Sequence, residues 1–264
     1  MLRRGLLIVA AAAGSAAYSP LPSHVSGYAV EPSVSTWAVP GGSRAAVQCC
    51  IVSNDPDADG LYSTAHVDHP QSRVRSELDD PYGVLGVWPS AYVAVARLSA
   101  AAAAGTRGRR LRVLELGAGA GLPSLYAASV LGAEVVATDI EGLPLAFLDA
   151  AHRCAGGDGT LRTAVLDVEE ATPADVAGFD VVVAADMLYH SAVAEALGAL
   201  LAQSQRSARP PALVVCDPGR VGRADFLEAF GGGRFVDVPV PPECAAVDVF
   251  DGSAQLAVGV FELS

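Results

Sequence analysis

Apolar residues in this chain gather in short, nearly unbroken runs. The clearest are Arg112–Leu116, 134–138, 161–166, 179–185 and 212–216, each dominated by Val, Leu or Ala. Between them lie longer segments of mixed character, 123–131, 143–152 and 191–203, whose lengths suit helices. A strand that is apolar on both sides needs cover on both faces, and alternating helices supply that cover. The pattern therefore predicts an α/β fold, a doubly wound Rossmann-like sheet. Two later runs, 234–240 and 256–263, are expected to pair as an antiparallel edge and to complete a seven-strand sheet.

Upstream the pattern is less regular. Residues 90–104 are rich in Ala and predict a helix that ends near Gly105. The runs 45–53 and 61–67 are β-prone, and the Asp- and Gly-bearing stretch between them is turn chemistry. An N-terminal hairpin or irregular cover is expected there. Residues 20–42 carry Pro, Ser and Gly without an apolar period and predict a linker. At the N-terminus, Arg3 and Arg4 precede an apolar stretch over 5–17, too short to span a bilayer, and no acidic residue appears before Glu31. That reads as a cleaved targeting segment, against the plainer alternative of a disordered Ala-rich tail. The expected organisation is a targeting segment over 1–19, a linker and β extension over 20–80, and one α/β domain over 81–264.

Composition narrows the chemistry. With 264 residues the chain is long enough to bury a core without disulfide or metal staples. Its formal net charge of −12 argues against a phosphate-backbone binder, so no nucleic-acid partner is expected. No membrane partner is expected either, and the chain is read as a monomer. All 17 basic residues are Arg. The absence of Lys excludes a Schiff-base lysine, a P-loop lysine and a lysine general base. Cys49, Cys50, Cys154, Cys216 and Cys244 contain no C-x-x-C pair and are read as small buried apolar residues. His66 and His69 would point to opposite faces of an extended segment, and no metal site is expected.

The first core strand runs into Glu115, Leu116, Gly117, Ala118, Gly119, Ala120 and Gly121, then Leu122 and Pro123. Closely spaced glycines between a strand and a helix let a ligand approach the backbone. The dinucleotide fingerprint is G-x-G-x-x-G, whereas the spacing here is G-x-G-x-G, with Leu122 where the third glycine would fall. A carboxylate at Glu115 has the wrong sign for a diphosphate and suits a cationic ligand. S-adenosylmethionine, with an amino group and a sulfonium, is such a ligand. Asp139 ends the second strand and is placed to accept ribose hydroxyls, which fits NAD and S-adenosylmethionine equally. Asp167 ends the third strand, near the expected adenine rim. Asp186 and Tyr189 follow the fourth strand, at the end of the sheet that faces the ligand crevice.

Several of these features together resemble a known family. They are Glu115-Leu116-Gly117-Ala118-Gly119, Asp186-Met187-Leu188-Tyr189, Trp88-Pro89 preceded by Asp80-Pro81-Tyr82, Asp217-Pro218-Gly219-Arg220, and the closing Val258-Gly259-Val260-Phe261. The chain from about Asp80 onward is similar to class I seven-strand S-adenosylmethionine-dependent methyltransferases of family 16 type. Within them it is closest to the electron-transfer-flavoprotein β-subunit lysine methyltransferase subgroup. The resemblance implies that Trp88 packs against the cofactor and that Glu115, Gly117 and Gly119 hold its methionine part. It implies that Asp139 binds the ribose, Asp167 lies by the adenine and Ala185 lines the crevice. Asp186 and Tyr189 would face the target amine. Ser90-Ala91 stands where the subgroup tends to have two glycines, and His190 where an acidic residue is usual. The activity implied is methylation of a lysine on a protein substrate, in a mitochondrion or plastid, with the cytoplasm as the alternative. Other readings are a small-molecule or other protein-residue N-methyltransferase, and a non-catalytic S-adenosylmethionine-binding module. An NAD oxidoreductase is disfavoured by the glycine spacing and by the lack of a Tyr-x-x-x-Lys pair.

Overall fold

The computed structural model describes residues 19–38, 44–53, 81–103, 109–155, 159–240 and 257–263. In chain order the elements are β1 (His24–Val25), β2 (Tyr28–Ala38), β3 (Arg44–Val52), α1 (Pro89–Ala103), β4 (Arg112–Leu116) and α2 (Leu122–Ser129). Then come β5 (Glu134–Asp139), α3 (Gly142–Cys154), β6 (Thr160–Val165), α4 (Pro173–Val176), β7 (Val181–Ala185) and α5 (Ser191–Ser204). The chain closes with β8 (Ala212–Asp217), α6 (Arg223–Phe230), β9 (Arg234–Pro239) and β10 (Ala257–Glu262). A short 3-10 turn over Pro81–Val84 precedes α1.

The apolar runs build a seven-stranded sheet in the order β6-β5-β4-β7-β8-β10-β9. Side chains alternate across a strand, so each central strand feeds two cores. Val113, Val135, Val181, Val183 and Val214 pack into one cluster with residues of α1, α2 and α3. Leu114, Leu116, Val182, Ala184 and Val215 pack into the other with residues of α5 and Phe226 of α6. Each such Leu or Val contributes about 1.5–3 kcal/mol on burial.

The doubly wound sheet expected from the sequence is present, with one difference at its edge. β10 is antiparallel to both β8 and β9, so it alone runs against the other strands and lies between them. The outer position belongs to β9. Burial explains the order: Val258, Val260 and Phe261 of β10 are almost completely covered, whereas β9 has no buried residue.

Within the expected linker the structure forms β2, which pairs with β3 from Val30↔Val52 to Ala38↔Arg44. Pro32, Ser33 and Ser35 disguise this strand in the sequence. Among the described residues β1 pairs only with Tyr28 and Ala29, so no described strand flanks Pro32 on that side. The resulting hairpin lays Val47, Cys49, Cys50 and Ile51 onto the core that contains α2 and α3. Helices α4 and α6 carry little apolar signal along the sequence; in α6 only Phe226 is fully buried, and α4 spans only Pro173–Val176. The run 61–67, the His66/His69 pair, Cys244 and nearly all of the targeting segment lie outside the described residues.

Candidate functional site

Parallel strands place their C-terminal ends on one edge of the sheet, and every predicted site residue but Trp88 and Glu115 leaves a strand there. Leu116 of β4 pairs with Ala184 of β7, so Gly117 and Ala185 emerge side by side. Gly117, Gly119 and Gly121 take φ of 63°, 51° and 69°, a left-handed path that side chains resist. Close approach adds a second constraint at all three: a Cβ on Gly121 would strike the Leu148 side chain. A Cβ on Gly117 would overlap Met187 Sδ, and one on Gly119 would stand 2.8 Å from the carbonyl oxygen of Gly83 in the 3-10 turn. The glycine loop is thus held between the turn before α1 and the residue after Asp186.

Asp139 ties this loop to the second strand. Its Oδ2 accepts the Gly119 N–H at 2.9 Å and its Oδ1 accepts the Glu141 N–H at 3.1 Å. A carboxylate oxygen has two lone pairs, so acceptor capacity remains on both oxygens for a vicinal diol. Burial pushes the Asp139 carboxyl above the usual carboxylate range, against the pull of the loop N–H groups. Beside it a cleft of about 540 Å³ is lined by Ile140, Glu141, Val165, Leu166, Asp167, Glu170 and Asp175. Ile140 and Val165 are exposed there, an apolar wall suited to a flat ring. Asp167 shapes the rim, its Oδ1 accepting the Glu169 N–H at 2.9 Å.

Glu115 behaves differently from the expectation. It is 1% exposed, and its carboxyl oxygen accepts the Ser124 N–H at 3.0 Å and meets the Ser124 hydroxyl at the start of α2. It offers no surface to a ligand. Burial pushes its carboxyl up to about 8, so at neutral pH it is mostly a neutral acid rather than a counter-charge to a cation. Its contact fixes the helix that follows the glycine loop.

At the ends of β7 and β8 a second set of side chains converges. Asp186 has a φ of 64°, unusual for a residue other than glycine, and its N–H donates to the Cys216 carbonyl at 2.8 Å. Its two carboxylate oxygens accept Nε and Nη2 of Arg220 at 2.7 and 3.2 Å. The Arg220 guanidinium lies 5.8 Å from the centre of the half-buried Trp88 ring. Arg220 is itself positioned by Asp217, whose Oδ2 accepts the N–H groups of Gly219 and Arg220 at 2.8 and 2.9 Å and Arg223 Nε at 2.5 Å. Tyr189 is 36% exposed and meets His190 edge-on at 5.5 Å between ring centres.

The structure therefore joins Gly119 to Asp139 by a hydrogen bond, sets Gly117 and Ala185 at adjacent strand ends, puts Asp167 in the cleft beside Ile140, links Trp88 to Asp186 through Arg220, and leaves Tyr189 half-exposed three residues after Asp186. Glu115 lies beneath. Arg220, Met187, Gly83 and Ser124 are site residues that the sequence reading left out. Arg220 stood in a quoted motif, but nothing local shows that it answers Asp186, which is 34 positions away.

Comparison with known proteins adds the following. A family model described as lysine methyltransferase matches residues 70–230, more than half of the chain. No curated protein matches the chain. Among solved structures it is similar to a TehB-like SAM-dependent methyltransferase from Corynebacterium glutamicum, at 19% identity and a TM-score of 0.42, over 68% of this chain and 89% of that one. It is also similar to a Pyrococcus abyssi tRNA (uracil-54, C5)-methyltransferase solved with S-adenosyl-L-homocysteine. That match has 17% identity and a TM-score of 0.44, over 66% of this chain and 37% of that one.

Proposed function

We propose that this chain, which belongs to the lysine methyltransferase family, methylates a lysine side chain of a protein substrate. The observation that carries this reading is the pairing of Leu116 with Ala184, which sets the glycine loop directly against the Asp186–Tyr189 end of β7. S-adenosylmethionine is the methyl donor of the family. The residues present fit it: a glycine loop that a Cβ would block, a carboxylate at Asp139 with acceptor capacity left, and an apolar-walled cleft beside Asp167. When bound, it supplies a methyl group on a cationic sulfur.

The chain's own part is placement and exclusion of water. Gly117, Gly119 and Ala185 supply close backbone approach, Asp139 accepts from the ribose, Asp167 borders the adenine, and Trp88 closes the methionine end. Glu115 acts through Ser124 by holding the start of α2. A lysine amine has a pKa of about 10.4 in water and must lose a proton before it attacks. Asp186 is already paired with Arg220, so it orients the amine as an acceptor and takes no proton; solvent takes it before the amine is enclosed. Tyr189 walls the channel.

The test is incubation with methyl-labelled S-adenosylmethionine and a cell lysate, followed by mass spectrometry of labelled bands. Since the chain has no Lys, any methyl-lysine belongs to another protein. Methyl-lysine in a discrete band is expected. Label confined to small molecules, or to glutamine or histidine, would overturn the lysine reading. We also propose organellar targeting by residues 1–19; a reporter fused to the first thirty residues and found diffuse in the cytosol would refute it.

A further inference from the structure

Asp186 is 7% exposed and Arg220 30% exposed, so their ion pair is largely buried at the C-terminal end of β7 and still reaches solvent through Arg220. Two independent constraints hold it there. The Asp217 carboxylate fixes the turn that carries Arg220, and the Trp88 ring backs the guanidinium. Asp217 is in turn answered by Arg223, whose Nη2 also donates to the Asp217 carbonyl at 2.6 Å. The left-handed backbone at Asp186 is a cost accepted to present this carboxylate. The arrangement is built, and its cation does more than keep Asp186 from taking a proton.

A lone carboxylate would hold an incoming lysine as ammonium, the form without a lone pair. A carboxylate already matched by a fixed guanidinium accepts one hydrogen bond from an amine but gives no net stabilisation to a positive charge. We propose that Arg220 is a positioning residue that neutralises Asp186, so that the site takes the acceptor lysine as the free amine. The proposal rests on the lysine reading of this site. It names Arg220 as the residue that sets the protonation state of the acceptor, acting through Asp186. Ionisable side chains on the elements around the pair include Asp217 and Cys216 of β8, Arg223, Asp225 and Glu228 of α6, Tyr189 and His190 of the same loop, and Tyr92 and Arg97 of α1, the last acting on Cys216. Of these His190 stands beside Tyr189 on the same loop, and its variant serves as a control.

The experiment measures the labelling rate of the lysate protein band that the wild-type chain methylates, across about pH 6–10 at saturating S-adenosylmethionine. Arg220→Met exposes the Asp186 charge to the amine and should move the acid limb of the rate upward by roughly one to three pH units. Arg220→Lys keeps the charge but not the fork and should leave the limb near its wild-type position at a lower plateau. His190→Gln should leave the limb in place. A uniform fall in rate at every pH for Arg220→Met, with no movement of the limb, would mean a structural role only and would overturn the proposal. A second readout needs no substrate: the Arg220 Nε–H resonance, identified by its loss in Arg220→Lys, should be shifted downfield and should move in Asp186→Asn. An unmoved resonance would overturn the pair itself. Failure of the lysine reading shows separately, as a labelled band that contains no methyl-lysine.

Discussion

Glu115 shows how a single side chain changes meaning once its neighbours are known. Its carboxyl is raised from 4.5 to about 8 by burial, so the folded chain keeps a proton that the unfolded chain has released. Between those values the folded state binds more protons, and stability falls as pH rises. Glu115→Gln removes this dependence. Melting temperatures at about pH 5 and pH 8 should therefore show the variant gaining on the wild type at the higher pH; parallel curves would refute the assignment. Asp139 carries a different expectation. Asp139→Ala deletes the anchor of Gly119 and, on the proposed reading, the acceptor for the ribose. It should weaken S-adenosylhomocysteine binding at least tenfold by calorimetry, a change of about 1.4 kcal/mol. Gly119→Ala adds a side chain at φ 51° against the Gly83 carbonyl. Strain of about 1–2 kcal/mol is expected from the backbone alone, seen as a lower urea midpoint and weaker cofactor binding.

At the scale of elements, α6 is the least obvious in the sequence and among the most consequential. Phe226 is fully buried and meets Phe230, Phe235 and Phe261 at 5.9, 5.8 and 5.1 Å between ring centres. This aromatic cluster seats α6 on β9 and β10. One turn earlier Arg223 lies 4.7 Å from the centre of the Phe235 ring while it pairs with Asp217. Gly259 of β10 makes room for it, since a Cβ there would strike the guanidinium. The helix thus supports the turn that carries Arg220. Phe226→Ala should cost about 3–5 kcal/mol of unfolding free energy, measured by urea denaturation. A loss below 1 kcal/mol would mean that the cluster does not hold the helix.

The whole molecule carries a formal charge of −12 and, on the proposed reading, acts on a lysine-bearing protein. Long-range attraction between such partners acts through solvent and is screened over about 10 Å at 0.1 M salt. Binding of the donor within the crevice is short-ranged and should respond little. Raising salt from about 50 to 300 mM should therefore increase KM for the protein acceptor several-fold while the affinity for S-adenosylhomocysteine stays within a factor of two. Equal insensitivity of both would remove overall charge from the recognition of the substrate.

The alternation of the central strands with α1, α2, α3 and α5, the glycine loop and the acidic strand ends were legible in the amino-acid sequence, because runs of apolar residues and turn chemistry are local signals. The family and its donor followed from those same local motifs. Local signals did not reveal β2, whose Pro and Ser are overridden by pairing with β3. They did not place β10 inside the sheet, which follows from how completely its side chains are covered. Nor did they show that Glu115 turns under α2 or that Arg220 matches Asp186. Those four outcomes depend on which distant elements pack together, and hydrogen bonds, burial and charge pairing are decided by neighbours in space that periodicity along the chain does not encode.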